Sequence, residues 1–306
     1  MDAMPQSFIP MSSLPSEAQA LMAAIGPVWG SNIPKHGDLV KETYAPLHRA
    51  APKDGVAVTL DLPYGAHPRQ VLDLYRPHTP NGDVVLFVHG GAFVRGDKTI
   101  NDTMYGNVLT WFARQGVLGL NVEYRLAPES VYPGGAEDVG AAVAWAAAHC
   151  AQHGGNPRRL FLIGHSAGGT HAAAYAYDPA VGALGRHLAG LVLVSARVRA
   201  DLLPENPNAG PTKIYFGDDP ARYEQRSPVN HAAYSDLPVM IVNAEFENPL
   251  LDIYGLELAH RIALARRRAP RYLRLTRHNH VSIMAHFNTD EETLGREMLD
   301  FFATLR

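Results

Sequence analysis

Apolar and polar residues follow two rhythms along this chain. VAVTLDLPY (56–64) and QVLDLYRP (70–77) alternate apolar with polar, the period-two pattern of antiparallel edge strands with one wet face. After Asn81-Gly82 the pattern changes. DVVLFVHGG (83–91) is nearly all apolar and β-branched, as a strand covered on both faces must be. Further strands are expected in VLGLNVEYRL (117–126), RLFLIGHS (159–166), LAGLVLVSA (188–196), PVMIVNAEFE (238–247) and RYLRLTRHNH (271–280). Between them the period lengthens to that of helices: 134–155, which closes on Gly-Gly, the stretch opening at GGTHAAAYAYD (168–178), 249–268, and DEETLGREMLDFFATL (290–305). Apolar strands alternating with helices predict an α/β fold, a mostly parallel central sheet with helices on both faces.

Two regions break the rhythm. Residues 1–50 carry Pro5, Pro10, Pro15, Pro27, Pro34 and Pro46 between short helical pieces, SEAQALMAAI and GDLVKETYAPLHRA, and predict an N-terminal arm or cap segment. Residues 51–306 then form one domain, with a cap-like, proline-rich excursion at about 201–227.

Composition narrows the function classes. Formal charge is −3 with both signs scattered, so neither nucleic acid nor an anionic membrane surface is an expected partner. No run approaches a membrane span, and MDAMPQSFIPMSSLPSE lacks the basic start and apolar core of a secretory leader. The single cysteine, Cys150, sits in an apolar helix as a small buried residue and excludes an internal disulfide. A cytoplasmic location follows as the expectation.

Ligands of such sheets bind at the carboxyl ends of the strands, and four strand ends carry unusual residues. LIGHSAGGT places Ser166 between glycines, after a strand and before a helix, which is the context of a nucleophile elbow. HGGAF supplies a glycine-rich loop whose Gly90 and Gly91 amides, with that of Ala167, are expected to stabilise an oxyanion. His89 is read as fixing that loop. His278 and His280 end the last strand, where a general base must reach the serine, and His280 is assigned that role. A metal pair is not expected there, because no further ligand spacing supports one. His165, His171, His187 and His286 are read as capping, core or surface residues. Glu245, Glu247 and Asp252 compete as the carboxylate partner. Glu247 is preferred because it sits at the turn, whereas Glu245 is nearly inside the strand and Asp252 is well into the next helix.

HGGAF, GHSAGG, NVEYRLAPE and YPGGAEDVGAAVAW together resemble the α/β-hydrolase superfamily, and within it the esterases related to hormone-sensitive lipase and the bacterial arylformamidases. The resemblance covers about residues 55–305 and implies the α/β-hydrolase fold with a small cap. Two departures stand out. Ala92 replaces the family's third glycine and keeps the oxyanion loop usable if its φ is negative. The acid motif reads AEFENPL, with Glu247 where an aspartate is usual and Asn248 inserted after it.

The expected activity is therefore a serine esterase acting on a small or short-chain carboxylic ester through an acyl-enzyme, with no cofactor. Amide hydrolysis of the arylformamidase or aryl-acylamidase kind is the alternative, and a non-catalytic receptor on the same fold is the reading from another class. The expected partner is a small ester or amide, with a homodimer left open. Phe93, Val94, Tyr215 and Phe216 are candidate pocket residues.

Overall fold

The computed structural model describes residues 13–305; Pro5, Pro10 and most of MDAMPQSFIPMSSLPSE lie outside them. Eight strands lie among the described residues: β1 (Val56–Pro63), β2 (Val71–Pro77), β3 (Val84–Val88), β4 (Leu118–Val122), β5 (Leu160–His165), β6 (Leu188–Val194), β7 (Val239–Phe246) and β8 (Arg271–Asn279). They form one sheet in the order β1-β2-β4-β3-β5-β6-β7-β8. The β1–β2 and β2–β4 pairs are antiparallel, and every pair from β4 to β8 is parallel. This is the α/β-hydrolase fold.

The all-apolar run of β3 is explained by where its side chains go. Val85 and Phe87 enter the core on one face of the sheet, while Val84, Leu86 and Val88 enter the core on the other. On the first face lie helices Gly106–Arg114 and Thr293–Ala303, and Phe302 stacks on Phe161 at 4.0 Å. On the second lie Gly134–His149, Ala167–Tyr177 and Leu251–Arg266. Each fully buried large apolar side chain stabilises the fold by about 1.5–3 kcal/mol relative to exposure.

Three expectations need correction. The strand β2 is not an edge strand: it lies between β1 and β4, and Leu72, Asp73, Leu74 and Tyr75 are all buried. Its polar position Asp73 survives burial through an ion pair with Lys98. Helix Gly106–Arg114, between β3 and β4, has no counterpart in the periodicity reading. It is buried almost all round, so its sequence NVLTWFAR carries little polar face. Proline also breaks the N-terminal region less than expected. A helix runs from Ile33 to Ala50 with Pro34 in its first turn, where no amide bond is lost, and Pro46 inside it.

That helix, its neighbour Ser16–Ile25 and the 3-10 turn Trp29–Ser31 between them bury Met22, Ile25, Trp29, Val40 and Tyr44 in the same core as Met240, Val242 and Leu275. Residues 201–227 contain a helix, Ala209–Phe216, whose Tyr215 and Phe216 pack on Phe93. Cys150 is buried. Among the described residues no helix is long and apolar enough to cross a membrane.

Candidate active site

The site is built where β3, β5, β7 and β8 end. Ser166 follows β5 with φ 55° and ψ −120°, a left-handed turn that reverses the chain into helix Ala167–Tyr177. So sharp a reversal leaves no room beside it. A Cβ on Gly164 would lie 2.6 Å from the Gly168 carbonyl oxygen, and one on Gly168 would lie 2.2 Å from that of Val88. Both obstacles are backbone and cannot yield, so glycine is required at both positions. The Ser166 hydroxyl makes no cap to the helix it precedes and is free to face elsewhere.

It faces His280. The imidazole Nε2 lies 3.1 Å from Ser166 Oγ, and Nδ1 lies 2.6 Å from Glu247 Oε1. A carboxylate can only accept, so Nδ1 carries the hydrogen and Nε2 presents a lone pair to the serine hydroxyl. Burial alone would raise the Glu247 carboxyl, but the adjacent His280 charge and hydrogen bond hold it below the usual carboxylate range. Glu247 therefore stays ionised at neutral pH.

The glutamate's extra methylene is taken up by folding back onto its own turn. Asn248 N–H donates to Oε1 at 3.1 Å, and Ala244 N–H reaches Oε2 at 3.3 Å. The inserted Asn248 is in turn fixed from the N-terminal region, where Trp29 Nε1–H donates to its Oδ1 at 2.8 Å. Both partners are buried. Trp29→Phe leaves that oxygen unpaired, at a cost of about 1–3 kcal/mol. We expect a lowered melting temperature together with a lowered kcat; a thermal melt identical to wild type would contradict this coupling.

The competing carboxylates are elsewhere. Glu245 accepts Arg277 N–H at 2.6 Å, and Asp252 accepts Ile253 N–H at 2.9 Å at the start of its helix. His278 is buried between Glu291 (3.1 Å) and the Ser282 hydroxyl (3.1 Å), away from the serine. His165 has a larger part than sequence reasoning gave it. Burial and the His280 charge push it down to about 3, so it is neutral. Its Nε2–H donates to the His280 carbonyl at 3.0 Å, which leaves Nδ1 to accept the Tyr105 hydroxyl at 3.2 Å. His165 and Tyr105 thus prop the loop that carries His280. The only signal for His165 was its place beside Ser166; Tyr105 gave none.

The glycine loop is held from beneath. His89 lies 2.9 Å from Glu123 and 2.7 Å from the Gly90 carbonyl, and it stacks on Tyr124 at 4.4 Å. Tyr124 O–H donates to the His89 carbonyl at 2.9 Å, while Arg125 and buried Asp138 pair at 2.7 Å. The EYRLAPE and AED stretches therefore brace the loop. Gly90 packs against Ser166, and an added Cβ there would lie 3.0 Å from the Ser166 Cβ. Gly91 has φ 149° and a Cβ there would strike the Arg95 carbonyl at 1.8 Å. Ala92 takes φ 50°, so the negative φ on which its part in the loop depended is not met, and Phe93 takes φ 71°. Left-handed non-glycine residues cost about 1–3 kcal/mol each and persist where surroundings enforce them. Ala167, the first helical residue, has an amide with no partner inside the helix.

A cavity of about 320 Å³ opens over Ser166. Gly90, Gly91, Ala92, Tyr105 and His280 form its floor, and Ile33, Pro34, Gly37, Asp38 and Lys41 of the N-terminal helix form a wall. The expected pocket residues are not among its lining. Phe93, Tyr215 and Phe216 are instead fully buried against one another, Phe93 stacking on Tyr215 at 4.7 Å with Val94 beside them, because apolar rings of that size gain more from mutual packing. A larger cavity, about 540 Å³, lies by Gly55, Arg76 and Gly154, remote from Ser166 and without a nucleophile. Among the described residues no group of three or more His, Cys, Asp or Glu is placed to hold a metal ion.

Known proteins share stretches of this sequence and its fold. The BD-FAE family model matches residues 72–250. Esterase LipC of Mycobacterium tuberculosis is 32% identical over 182 residues, covering 58% of this chain and 41% of its own length. Esterase LipI of the same organism is 42% identical over 100 residues, 33% of this chain and 30% of its own length. The chain thus spans less than half the length of these relatives. Among solved structures, an inhibited esterase B from Lactobacillus rhamnosis has a TM-score of 0.72 at 21% identity, covering 94% of this chain and 96% of its own. A bacterial heroin esterase has a TM-score of 0.70 at 22% identity with the same coverage.

Proposed function

The chain belongs to the BD-FAE family, and from that membership we propose that it is a serine carboxylesterase acting on small carboxylic esters. The observation that carries the reading is the hydrogen-bonded row Ser166–His280–Glu247 on the floor of a cavity. Ser166 Oγ attacks the acyl carbon while its proton passes to His280 Nε2, and Glu247 holds the imidazolium that forms. Negative charge gathers on the former carbonyl oxygen. We assign the stabilising N–H groups to Gly90 and Gly91 of the glycine loop and to Ala167 at the start of the helix. The bond to the alcohol oxygen breaks, and His280 delivers its proton to that oxygen. Water then attacks the acyl-enzyme, passing a proton to His280, and the acid leaves as Ser166 regains its hydrogen.

Substrate size follows from the walls. The cavity is at the low end of small-molecule sites, roughly 300–1,000 Å³, and the N-terminal helix closes one side of it. That helix and residues 201–227 serve as the cap of a single hydrolase domain. A lone buried cysteine is in keeping with a cytoplasmic setting. Initial rates on p-nitrophenyl esters of rising chain length, with the matched p-nitroanilide, test the proposal. Acetate and butyrate should be preferred, and the anilide should be slower by about two orders of magnitude. Anilide rates within a few-fold of the ester would favour the amidase reading instead.

A further inference from the structure

Charge on the cavity wall carries an inference about substrate class that rests on the esterase reading above. Two cations and one carboxylate line the cavity over Ser166. Lys41 and Asp38 lie on one helix and pair with each other at 2.6 Å, so they cancel. Arg95 remains. It is exposed to the cavity, and among the described residues its guanidinium has neither an ion pair nor a hydrogen-bond partner. The partly buried Arg69, Arg125, Arg159 and Arg199, by contrast, are each held by a carboxylate.

The backbone that carries it is fixed. Arg95 N–H donates to the Gly91 carbonyl at 3.1 Å, and the Arg95 carbonyl fills the space a Gly91 side chain would need. The side chain therefore starts one tight turn from the Gly91 amide assigned to the oxyanion. Asn208 lines the same cavity and offers a carboxamide with no partner among the described residues. A guanidinium presents a planar fork of donors that matches a carboxylate in two hydrogen bonds.

We propose that the enzyme selects esters that carry a carboxylate besides the scissile group, and that Arg95 is the specificity-determining residue that receives it. Uncharged esters of the same size still fit, but they leave the guanidinium without its partner. The carboxylate can sit on the acyl part, as in a dicarboxylic acid monoester, or on the alcohol part. In either case the new contact is one charge-assisted pair at a solvent-exposed wall, weakened by salt.

The test compares kcat/KM for matched esters: monomethyl succinate against methyl butyrate for the acyl arm, and the acetyl ester of glycolate against ethyl acetate for the alcohol arm. In one arm the wild-type ratio of anionic to neutral substrate should be several-fold above its value in Arg95→Gln. Charge reversal in Arg95→Glu should lower it further, and added salt should compress the wild-type ratio. Arg268→Gln removes an exposed charge at the opposite end of the sheet, before β8, and should leave the ratio where it was. Ratios in both arms that do not move on Arg95 substitution overturn the proposal, as does an equal change in Arg268→Gln. Failure of the esterase reading looks different: neutral esters would then be cleaved equally by wild type and Ser166→Ala.

Discussion

Ser166→Ala is expected to reduce kcat for small esters by about 10³- to 10⁶-fold while leaving the fold intact. The size of the loss follows from geometry. No other hydroxyl replaces Oγ, which lies 3.1 Å from His280 Nε2 at the apex of a turn whose neighbours are immovable backbone. An alanine accepts the same position with the same strain, so stability should change little. What remains is water attack aided by bound substrate and the loop amides, which is why a residual rate above background is anticipated. Labelling by a fluorophosphonate probe checks the same point independently: wild type should react and Ser166→Ala should not. A variant retaining rates within tenfold of wild type would remove Ser166 from the chemistry.

Glu247→Gln is the second large effect. The carboxylate accepts His280 Nδ1–H at 2.6 Å and so fixes which nitrogen faces the serine. A carboxamide that turns its NH₂ to Nδ1 forces the hydrogen onto Nε2, where it can no longer receive the serine proton. Loss of kcat by about 10²- to 10⁴-fold is expected, with KM much less affected. Asp252→Asn should be close to wild type, since Asp252 serves its own helix terminus. If Asp252→Asn is dead and Glu247→Gln active, the assignment is reversed. The same substitution has a stability signature. The Glu247 carboxyl titrates below its unfolded value, so its stabilisation is complete above about pH 4.3, the unfolded value, and is lost as pH falls through the lower folded one. Acid unfolding of Glu247→Gln should therefore be less steep.

How much of this was legible beforehand depended on whether the signal was local. The sharp turn at Ser166 is written in its glycines, because only glycine clears the backbone there. The parallel strands are written in apolar runs, because both faces are covered. Glu247 was separable from Asp252 by position alone. Tertiary partners left no such trace. Tyr105 follows a bridge at Ile100–Met104 and is itself left-handed at φ 75°, and nothing in MYGN signals its contact with His165 some sixty residues on. Phe93, Tyr215 and Phe216 looked like pocket walls because aromatic residues suit both roles, and sequence does not say which face meets solvent. The positive φ of Ala92 is likewise imposed by its surroundings rather than by its own preference.

The three reacting side chains stand on unequal footing. Ser166 rises from β5, flanked on both sides by buried parallel strands, whereas His280 follows β8, which has a neighbour on one side only. Edge segments are where native proteins open first. Two ties from outside the sheet's hydrogen bonding steady this margin: His165, gripping the His280 carbonyl from the centre, and Trp29, pinning the turn that carries Glu247. The N-terminal helices are thus more than a wall around the substrate. They lend the rim of the sheet the rigidity of its interior, and changes of cap that reshape the cavity are constrained to keep an indole where Trp29 stands.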